Sequence, residues 1–480
     1  MDYEIVIGLE CHVQLLTRSK MFCGCATDYD GSPPNTRVCP VCLGLPGALP
    51  VINRKAVEYT LTTGLALHCD IAPYAKFDRK NYHYPDLPKG YQVSQYDLPL
   101  TRNGYLDIEV DGASRRIGIT RVHLEEDTGK NTHVGAVSLI DYNRSGVPLM
   151  EIVTEPDLRT PEEARQFATR LRQTLRWIGV STGDMEAGAL RVDANVSVRP
   201  RGAAELGVKT EIKNVNSLRA VKLALEYEAA RQIDVLRQGG RISQETRGWV
   251  ETEGRTASQR SKEFADDYRY FPEPDLPPLM LSPSLVEAIR AQLPELPEAR
   301  KRRFVRQYGL SDYDADVLTP SQAVADYYEA VVAAHGNPKL VANWVSGEMF
   351  RLMRARDLDI DALPVSPARL AELLTLVDNQ TIGAPVAKSV LEEMFDSGQA
   401  AGDIVRAKGL TQISDSGQLR AVAAEVIAAN PKAVADYHGG KPTAIKFLVG
   451  QMMKATKGQA NPTVAGEMLE QVLNDGAQPS

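Results

Sequence analysis

Alternating apolar and polar residues mark much of the chain up to about residue 290. The first such segment is EIVIGLECHVQL (4–15), and one side of this predicted strand carries apolar residues, namely Ile5, Ile7, Leu9, Cys11 and Val13. The other side carries Glu10 and His12, because successive side chains of a strand point to opposite faces. The alternation favours an antiparallel sheet with one covered face over a buried parallel sheet. We expect Cys11 to be buried and unsuited to act as a nucleophile.

Two segments of the same region predict helices. In TPEEARQFATRLRQTLRWIG, Thr160 can cap the helix, Pro161 fits its first turn, and Glu163 completes a capping box. Gly179 is the expected end of this helix. Residues 217–240, SLRAVKLALEYEAARQIDVLRQGG, predict a second helix that stops at its two terminal glycines.

Changes in composition predict three parts, and the fold class is α+β. A mixed domain with an antiparallel sheet is expected over residues 1–293, and its proline-rich end, FPEPDLPPLMLSP (271–283), is typical of a linker. Residues 294–405 have the composition and period of an all-helical domain, without a strand signal. Residues 406–480 are rich in Ala, Val and Lys and predict a small helical tail domain.

Four cysteines lie close together in MFCGCATDYDGSPPNTRVCPVCLG (21–44), as a C-x-C pair, Cys23 and Cys25, and a C-x-x-C pair, Cys39 and Cys42. Paired thiols near turn-forming residues are typical of a knuckle that holds a structural Zn²⁺, and the alternative is four unrelated thiols. Disulfides are not expected, because a chain of 480 residues can bury a large core without them. Four thiolates would close the coordination sphere of the ion, so we expect this site to stabilise the fold and not to be a catalytic centre.

Acidic residues accompany histidine on the polar faces of other predicted strands. In TRVHLEEDTGK, His123, Glu125 and Asp127 share a face, and Asp193 lies on the polar face of LRVDANVSVRP. Between these two segments, Glu151 stands among apolar positions. Convergence of these carboxylates with a histidine would suit Mg²⁺, whereas the alternative is an ordinary solvated sheet face. Alternation shows which residues share a face but not which strands are neighbours, so the convergence is a hypothesis.

A basic and aromatic segment, KFDRKNYHYPDLPKGYQVSQYDLPL, is a candidate for phosphate and base contacts. Its Arg79, Lys80 and Lys89 could bind phosphate, and its tyrosines could stack on a base, although a plain surface loop has the same composition. Lys213 adds a further cation in VKTEIKNVNS. The sequence contains neither a Walker A motif nor a G-x-G-x-x-G after a strand, so any ATP site would lie outside the common nucleotide folds.

Composition and charge place the chain among ordinary globular proteins, with 43% hydrophobic and 24% charged residues. A net charge of −7 neither predicts nor excludes binding to nucleic acid, because phosphate contacts depend on local patches. No apolar run approaches the roughly 20 residues of a bilayer span, so no membrane partner is expected. The opening MDYEIVIGLE lacks the features of an export signal, and we expect a cytoplasmic protein.

Four long motifs carry a resemblance to a known family. LIDYNRSGVPLMEIV, FDRKNYHYPDLPKGYQVSQ, RVHLEEDTGK and LRVDANVSVR together resemble the B subunits of the bacterial aspartyl/glutamyl-tRNA(Asn/Gln) amidotransferases. The resemblance extends over essentially the whole chain. An archaeal relative of this family has an inserted domain, for which this uninterrupted chain is too short.

The resemblance implies a fold and an activity. The fold would be a cradle-like α+β domain, then a helical domain and a small helical tail that contacts tRNA. The activity would be conversion of Glu-tRNA(Gln), Asp-tRNA(Asn) or both to the amidated species. ATP would phosphorylate the side-chain carboxylate, and ammonia from glutamine would then displace the phosphate.

The resemblance also implies two partner proteins in a complex of three different chains. The ammonia would come from a glutaminase of the amidase type, because this chain lacks the Gly/Ser-rich amidase signature. A small third protein would hold the amidase and this chain together.

Particular residues receive roles from the same resemblance. Four of them would be catalytic and would ligate Mg²⁺, with Asp193 as a possible fifth ligand: Glu10, His12, Glu125 and Glu151. Phosphate or substrate contacts, placed more by chemistry than by the match, are expected for Lys80, Lys89, Arg144, Asn195 and Lys213. In the tail, the expected tRNA contacts are lysines without an intervening acid, namely Lys441, Lys446, Lys454 and Lys457. Charge alone would leave those lysines as a solvated helix face.

Two other function classes compete with this interpretation. The chain could be a non-catalytic tRNA-binding subunit that contains zinc, with all chemistry performed by a partner. The acidic cluster counts against that alternative, because a pure binding module has no use for carboxylates that face phosphate. A stand-alone metal-dependent hydrolase is the second alternative, and the expected tRNA-binding tail counts against it.

Overall fold

The structure is a computed structural model, and it describes residues 2–261, 268–411, 416–441, 443–456 and 458–475. The chain divides into two compact units, Met1–Leu296 and Pro297–Ser480. The first unit combines sheets with helices and the second is helical, so the predicted α+β class is confirmed. None of the helices in the described ranges has the length and apolar content that a membrane span requires.

The elements of the first unit follow one another in chain order as β1 (Tyr3–Gln14), α1 (Arg54–Ala66), β2 (Asp70–Ile71), β3 (Tyr74–Ala75), β4 (Asp78–Asn81), β5 (Tyr91–Ser94), β6 (Thr101–Val110), β7 (Ala113–Glu126), β8 (Lys130–Val134), β9 (Val137–Asp141), β10 (Pro148–Thr154), α2 (Pro161–Trp177), β11 (Leu190–Pro200), β12 (Thr210–Lys213), α3 (Leu218–Arg237), β13 (Glu245–Val250), β14 (Arg255–Ser261), β15 (Phe271–Pro272), β16 (Leu279–Met280) and α4 (Pro283–Gln292). Within the residues described, nine of these strands form the main sheet in the order β14-β13-β12-β11-β1-β10-β7-β6-β2.

The main sheet is antiparallel except where β12 runs parallel to β13. The parallel pair departs from the predicted antiparallel order, and helix α3 connects the two strands, as parallel pairing requires a crossover. Helices α1, α2 and α3 cover one face of the sheet. On that face, Ile7, Leu9, Cys11 and Val13 of β1 are buried in a core shared with Phe167 of α2. Burial of each large apolar side chain contributes about 1.5–3 kcal/mol, so the alternation in β1 fixes which face the helices cover.

Both predicted helices of this unit are confirmed with their caps. The amide of Glu163 donates to Thr160 Oγ1 at 3.1 Å, and the amide of Thr160 donates to Glu163 Oε2 at 3.2 Å. These reciprocal bonds satisfy two backbone donors at the start of α2. Gly179 follows the end of α2 with a φ of 68°, a conformation that costs glycine little. Ser217 caps α3 through the amide of Ala220 at 3.0 Å.

The predicted linker at 271–283 is wrong, because this segment belongs to the first unit. Its strand β15 pairs with β4, its strand β16 pairs with β3, and Leu276 and Leu281 are buried in the core. Prolines remove backbone donors, yet two-residue strands at the edge of a sheet tolerate them. The segment therefore has the composition of a linker and the packing of an integral part of the unit.

The second unit is helical, as predicted. Its helices are α5 (Pro297–Tyr308), α6 (Asp312–Val317), α7 (Gln322–His335), α8 (Pro338–Trp344), α9 (Phe350–Arg356), α10 (Pro367–Asp378), α11 (Ala384–Ser397), α12 (Ala401–Lys408), α13 (Ser416–Ala429), α14 (Pro431–His438), α15 (Thr443–Ala455) and α16 (Pro462–Asp475), with a π-helical turn at Val345–Met349 and a 3₁₀ turn at Ile360–Ala362.

Helices α13, α15 and α16 bury a small core of their own that includes Leu419, Leu448 and Leu469. The predicted boundary between residues 405 and 406 falls inside α12, which continues to Lys408. A division of the chain into three parts stays a prediction. Among the lysines expected to contact tRNA, Lys457 lies outside the described residues.

Candidate active site

The face of the main sheet opposite the helices brings the central polar residues of four neighbouring strands into one row. Arg191 of β11 lies opposite His12 of β1, which lies opposite Glu151 of β10, and Glu151 lies opposite His123 of β7. One step along the strands, Asp193 lies opposite Glu10. The strand order thus places His12 beside Glu151 and Arg191, each of which lies more than a hundred positions away in the sequence.

Three of the predicted metal ligands, His12, Glu125 and Glu151, meet at this row. His12 Nε2 lies 4.0 Å from Glu125 Oε1 and 3.9 Å from Glu151 Oε2. One ligand atom from each residue lies within 4.8 Å of the other two. Two carboxylates and one imidazole fit a divalent cation, and the carboxylates are the donors that Mg²⁺ prefers. Ser94 Oγ, which donates to Glu125 Oε2 at 3.2 Å, helps to fix that carboxylate.

Glu10 and Asp193 lie on the same face but do not belong to this close group of three. Glu10 Oε1 accepts a hydrogen bond from Asn195 Nδ2 at 2.8 Å, and Asp193 Oδ2 lies 3.4 Å from Lys213 Nζ. Four further predicted site residues therefore lie on this face of the sheet, namely Glu10, Asp193, Asn195 and Lys213. The two acids among them already have polar partners. The predicted roles of all four as ligands or substrate contacts stay predictions.

Neighbouring charges keep the Glu151 carboxylate ionised. Burial opposes ionisation of Glu151, but His123, His12 and Lys80 together outweigh burial and lower its pKa. Burial would also lower the pKa of Lys80, yet the nearby carboxylates of Glu125 and Glu151 raise it. A lysine in this environment carries its positive charge at neutral pH. The charged Lys80 Nζ lies 4.8 Å from the centre of the Tyr268 ring, a distance typical of a cation–π contact.

Two other predicted phosphate contacts are engaged elsewhere in the fold. Lys89 Nζ lies 2.6 Å from Glu126 Oε1, and both line a cavity of about 200 Å³ beside Cys42. Arg144 donates through Nε to the carbonyl of Thr128 at 2.9 Å and through Nη2 to that of Gly129 at 2.8 Å. Since Arg144 supports the chain around residue 128, any contact with substrate would compete with these bonds.

The four predicted zinc ligands converge. The sulfur atoms of Cys23, Cys25, Cys39 and Cys42 lie within 4.8 Å of one another, a set that could hold a structural metal ion. A hydrogen bond from the Cys23 thiol and the charge of Lys20 lower the pKa of Cys42 to about 4. The Lys20 ammonium lies 3.7 Å from Cys42 Sγ and is itself buried. A buried ammonium here would offset part of the negative charge of four thiolates.

Cys11 is buried, as predicted, and burial raises the pKa of its thiol. A thiol with a raised pKa is a poor nucleophile, which agrees with the expectation from the alternation.

Sequence reasoning missed several residues of this site. His123 was placed on the correct face but given no role, although its Nε2 lies 3.2 Å from Glu151 Oε2. Tyr268 and Tyr270 lie after β14 in the chain, and their rings lie beside Lys80 and Tyr96. The Tyr270 and Tyr96 rings stack with centres 4.2 Å apart. The sequence contained no signal for Tyr268 and Tyr270, because the tyrosines expected to stack were those of residues 76–100, which include Tyr96.

Comparison with known proteins identifies the family. The family model described as the GatB/GatE catalytic domain matches residues 5–287, and that described as the GatB domain matches residues 326–473. Among the B subunits of the aspartyl/glutamyl-tRNA(Asn/Gln) amidotransferases, that from Carboxydothermus hydrogenoformans is 58% identical over 98% of this chain and 99% of its own length. The proteins of the same name from Dehalococcoides mccartyi and Moorella thermoacetica are 58% and 57% identical, over 99% and 98% of this chain and 100% of their own lengths. The resemblance inferred from the motifs is thereby confirmed, and the chain belongs to the family of the B subunits of the aspartyl/glutamyl-tRNA(Asn/Gln) amidotransferases.

Proposed function

We propose that this chain activates and amidates the side-chain carboxylate of a misacylated Glu-tRNA(Gln), Asp-tRNA(Asn) or both, at the cluster of His12, Glu125 and Glu151. The observation that carries this proposal is the convergence of these three side chains beside a charged Lys80 on the face of the sheet opposite the helices. The names of the relatives supply the class of substrate.

The first step would transfer the γ-phosphoryl group of ATP to a carboxylate oxygen, which releases ADP and forms an acyl phosphate. A carboxylate with an ordinary pKa near 4.3 is already ionised at neutral pH, so this step needs no general base. It needs two anions held in line against their mutual repulsion. Mg²⁺ held by His12, Glu125 and Glu151 would neutralise phosphate charge. Lys80, whose charge is kept by the neighbouring carboxylates, would contribute a second cation.

The second step would be attack of ammonia on the carbonyl carbon of the acyl phosphate, with departure of inorganic phosphate and formation of the amide. Ammonia would come from hydrolysis of glutamine in a partner, which we propose to be a glutaminase of the amidase type, with a small third protein completing a cytoplasmic complex. The word subunit in the names of the relatives supports an assembly of several chains.

We also propose that Cys23, Cys25, Cys39 and Cys42 hold a structural Zn²⁺. Four converging thiols leave no open coordination position, so this ion would stabilise the fold and take no part in the reaction. Lys20, through its contact with Cys42, would favour the thiolate form that a metal ion requires.

The test uses the complex assembled with its partner proteins and the variant Glu125→Gln, which keeps the size of the side chain and removes one charge. We expect loss of tRNA-dependent ATP cleavage and of amidation, with tRNA binding and glutamine hydrolysis without tRNA largely intact. Glu251→Gln is the control, because Glu251 is exposed in a turn outside the cluster. Undiminished amidation in Glu125→Gln would remove the cluster from the reaction and would favour the alternative of a non-catalytic tRNA-binding subunit.

A further inference from the structure

Two arginines lie opposite each other on neighbouring strands beside the acidic cluster. In the antiparallel pair of β6 and β7, Arg102 is the direct partner of Arg121. Residues that are directly opposite in such a pair share one face, with their Cβ atoms about 4.5–5.5 Å apart. Like charges in this arrangement destabilise the sheet. The pairing therefore costs stability unless an anion lies between the guanidinium groups.

Neither arginine forms an ion pair with a described residue. Asp70 of β2 lies opposite Arg102 on the other side of β6, but its Oδ2 accepts a hydrogen bond from Asn103 Nδ2 at 3.2 Å. Arg102 is exposed, and the buried Nε of Arg121 has no hydrogen-bond acceptor among the described residues. Arg116 shows the usual arrangement on the same face of β7, since it lies opposite Asp107 and its Nε donates to Asp107 Oδ1 at 2.9 Å. The contrast between the two positions is a carboxylate that Arg116 has and Arg121 lacks.

A β-bulge places Arg121 on the same face of the sheet as the cluster. Between Val153 and Thr154 of β10 the register with β7 shifts, so that Arg121 lies opposite Val153 while Ile119 lies opposite Thr154. Before the shift Ile119 faces the core, and after it Val122 faces the core, which turns Arg121 to the face that also carries His123 and Glu125. Bulges are common beside active sites, where they redirect a side chain.

Arg121 lies close to groups that surround the cluster. Burial raises the pKa of Tyr270 to about 12, and among its charged neighbours are Glu125 and Glu151, which act in the same direction, and Lys80 and Arg121, which oppose it. Arg121 thus belongs to the same charged environment as Lys80. Arg121 of β7 is therefore a cation beside the carboxylates of the cluster. Arg102 of β6 is a second cation, one strand closer to the edge of the sheet formed by β2.

We propose that Arg102 and Arg121 together bind phosphate oxygens of a reactant at this edge of the cluster. Two guanidinium groups offer paired donors that match phosphate geometry, and a bound phosphate would relieve their repulsion. The phosphate could be that of ATP or of the 3′ end of the aminoacyl-tRNA, and both present the same chemistry. This inference rests on the proposed function, because it names the substrate groups that the same site holds.

The experiment uses the complete complex and the variants Arg102→Ala, Arg121→Ala and Arg121→Lys, with Arg116→Ala as the matched control. If the bound phosphate belongs to ATP, the KM for ATP and the Kd of ATP in equilibrium dialysis rise about 10- to 100-fold in Arg121→Ala. The KM for aminoacyl-tRNA then stays unchanged. If the bound phosphate belongs to the aminoacyl-tRNA, the KM for aminoacyl-tRNA rises instead. The slope of log tRNA affinity against log salt concentration then becomes shallower by about one. Arg121→Lys retains part of the affinity, since it keeps the charge without the paired donors.

A purely structural role gives a different result. Because each alanine variant removes one of two like charges, we expect its Tm without substrates to equal or exceed that of the parent complex. A Tm lowered by more than about 5 °C in both Arg121 variants, or KM values for ATP and tRNA within twofold of the parent, would overturn the inference. Failure of the parent complex to amidate with ATP would contradict the proposed function, whereas the arginine pair is judged from the ATP and tRNA affinities of the variants.

Discussion

His123 Nε2 lies 3.2 Å from Glu151 Oε2, and the two residues are direct partners on the neighbouring strands β7 and β10. Both side chains are largely buried, and the other ring nitrogen of His123 is buried without a partner among the described residues. The contact with His123 helps to lower the pKa of Glu151 and fixes one of its oxygens. Two other predicted ligands, His12 of β1 and Glu125 of β7, complete the cluster, with His12 Nε2 3.9 Å from Glu151 Oε2 and 4.0 Å from Glu125 Oε1.

The first prediction concerns His123 as a positioning residue. His123→Ala should weaken the apparent Mg²⁺ affinity of the complex about 10- to 100-fold, because partners of a ligating carboxylate commonly have effects of this size. Amidation measured over a Mg²⁺ series should be partly restored at high Mg²⁺, which a general loss of structure would not allow. The control is His133→Ala, since His133 is exposed on the β8–β9 hairpin. An unchanged Mg²⁺ dependence in His123→Ala would contradict the assigned role.

The sequence predicted the faces of the strands but not their order. Alternation placed Glu10 and His12 on the polar side of β1, and the structure has them there. Nothing local could show that β1 inserts between β10 and β11, strands that follow it by more than a hundred residues. The neighbour relation between His12 and Glu151 is a consequence of that long-range pairing. The family resemblance supplied the grouping that periodicity could not.

Two local features escaped prediction for a different reason. The bulge that turns Arg121 to the polar face arises from a mismatch between two strands, so neither strand reveals it alone. Residues 271–283 have the prolines of a linker, but Leu276 and Leu281 find a core to fill. Local composition therefore misjudges a segment whose structure is decided by packing against distant residues.

The second prediction concerns the cysteine cluster. Replacing Cys39 and Cys42 with Ser should release one metal ion per chain, identified as zinc by elemental analysis, and should lower the Tm, because structural zinc contributes folding energy directly. Cys69→Ala is the control, since Cys69 is a buried cysteine outside the cluster. Absence of zinc in the parent protein, with all four thiols titratable in the folded state, would refute this prediction.

The third prediction concerns a charged network in the helical unit. Glu329 accepts hydrogen bonds from Arg303 Nη1 at 2.6 Å and from the Tyr308 hydroxyl at 2.7 Å, and it also pairs with Arg300. The hydrogen bond from Arg303 outweighs burial and lowers the pKa of Glu329 to about 2. A carboxyl group with a lowered pKa in the folded state stabilises fully above its unfolded pKa, near 4.3, and loses that contribution as the pH falls towards 2.

Glu329→Gln should accordingly lower the Tm at pH 7, with a cost of about 1–3 kcal/mol, and the difference from the parent protein should shrink as the pH falls below about 4. Thermal unfolding at pH 7 and at pH 3 checks this expectation. Glu298→Gln serves as the comparison, because Glu298 pairs with exposed Arg302 and such pairs contribute little. A difference between Glu329→Gln and the parent that stays constant over this pH range would contradict the pKa of Glu329.

The last prediction concerns the tail. Lys446 and Lys454 are exposed on α15 and make no ion pair with other described residues, whereas Lys441 lies 2.7 Å from Asp436. Free cations on one helix are suited to phosphate contacts, which position RNA without reading its sequence. A deletion that starts at residue 406 would cut α12, so the better truncation ends the chain after Gly409, the residue that caps α12.

Both the truncation and the double variant Lys446→Ala/Lys454→Ala should raise the KM for aminoacyl-tRNA. They should also flatten its salt dependence, because each lost phosphate contact removes about 0.7–0.9 from the slope of log affinity against log salt. Lys388→Ala is the matched control, since Lys388 pairs with Glu348 at 2.5 Å. Glutamine hydrolysis without tRNA should change little in any of these proteins. If the double variant and the truncated chain bound tRNA as tightly as the parent across a salt series, the tail lysines would be an ordinary solvated helix face.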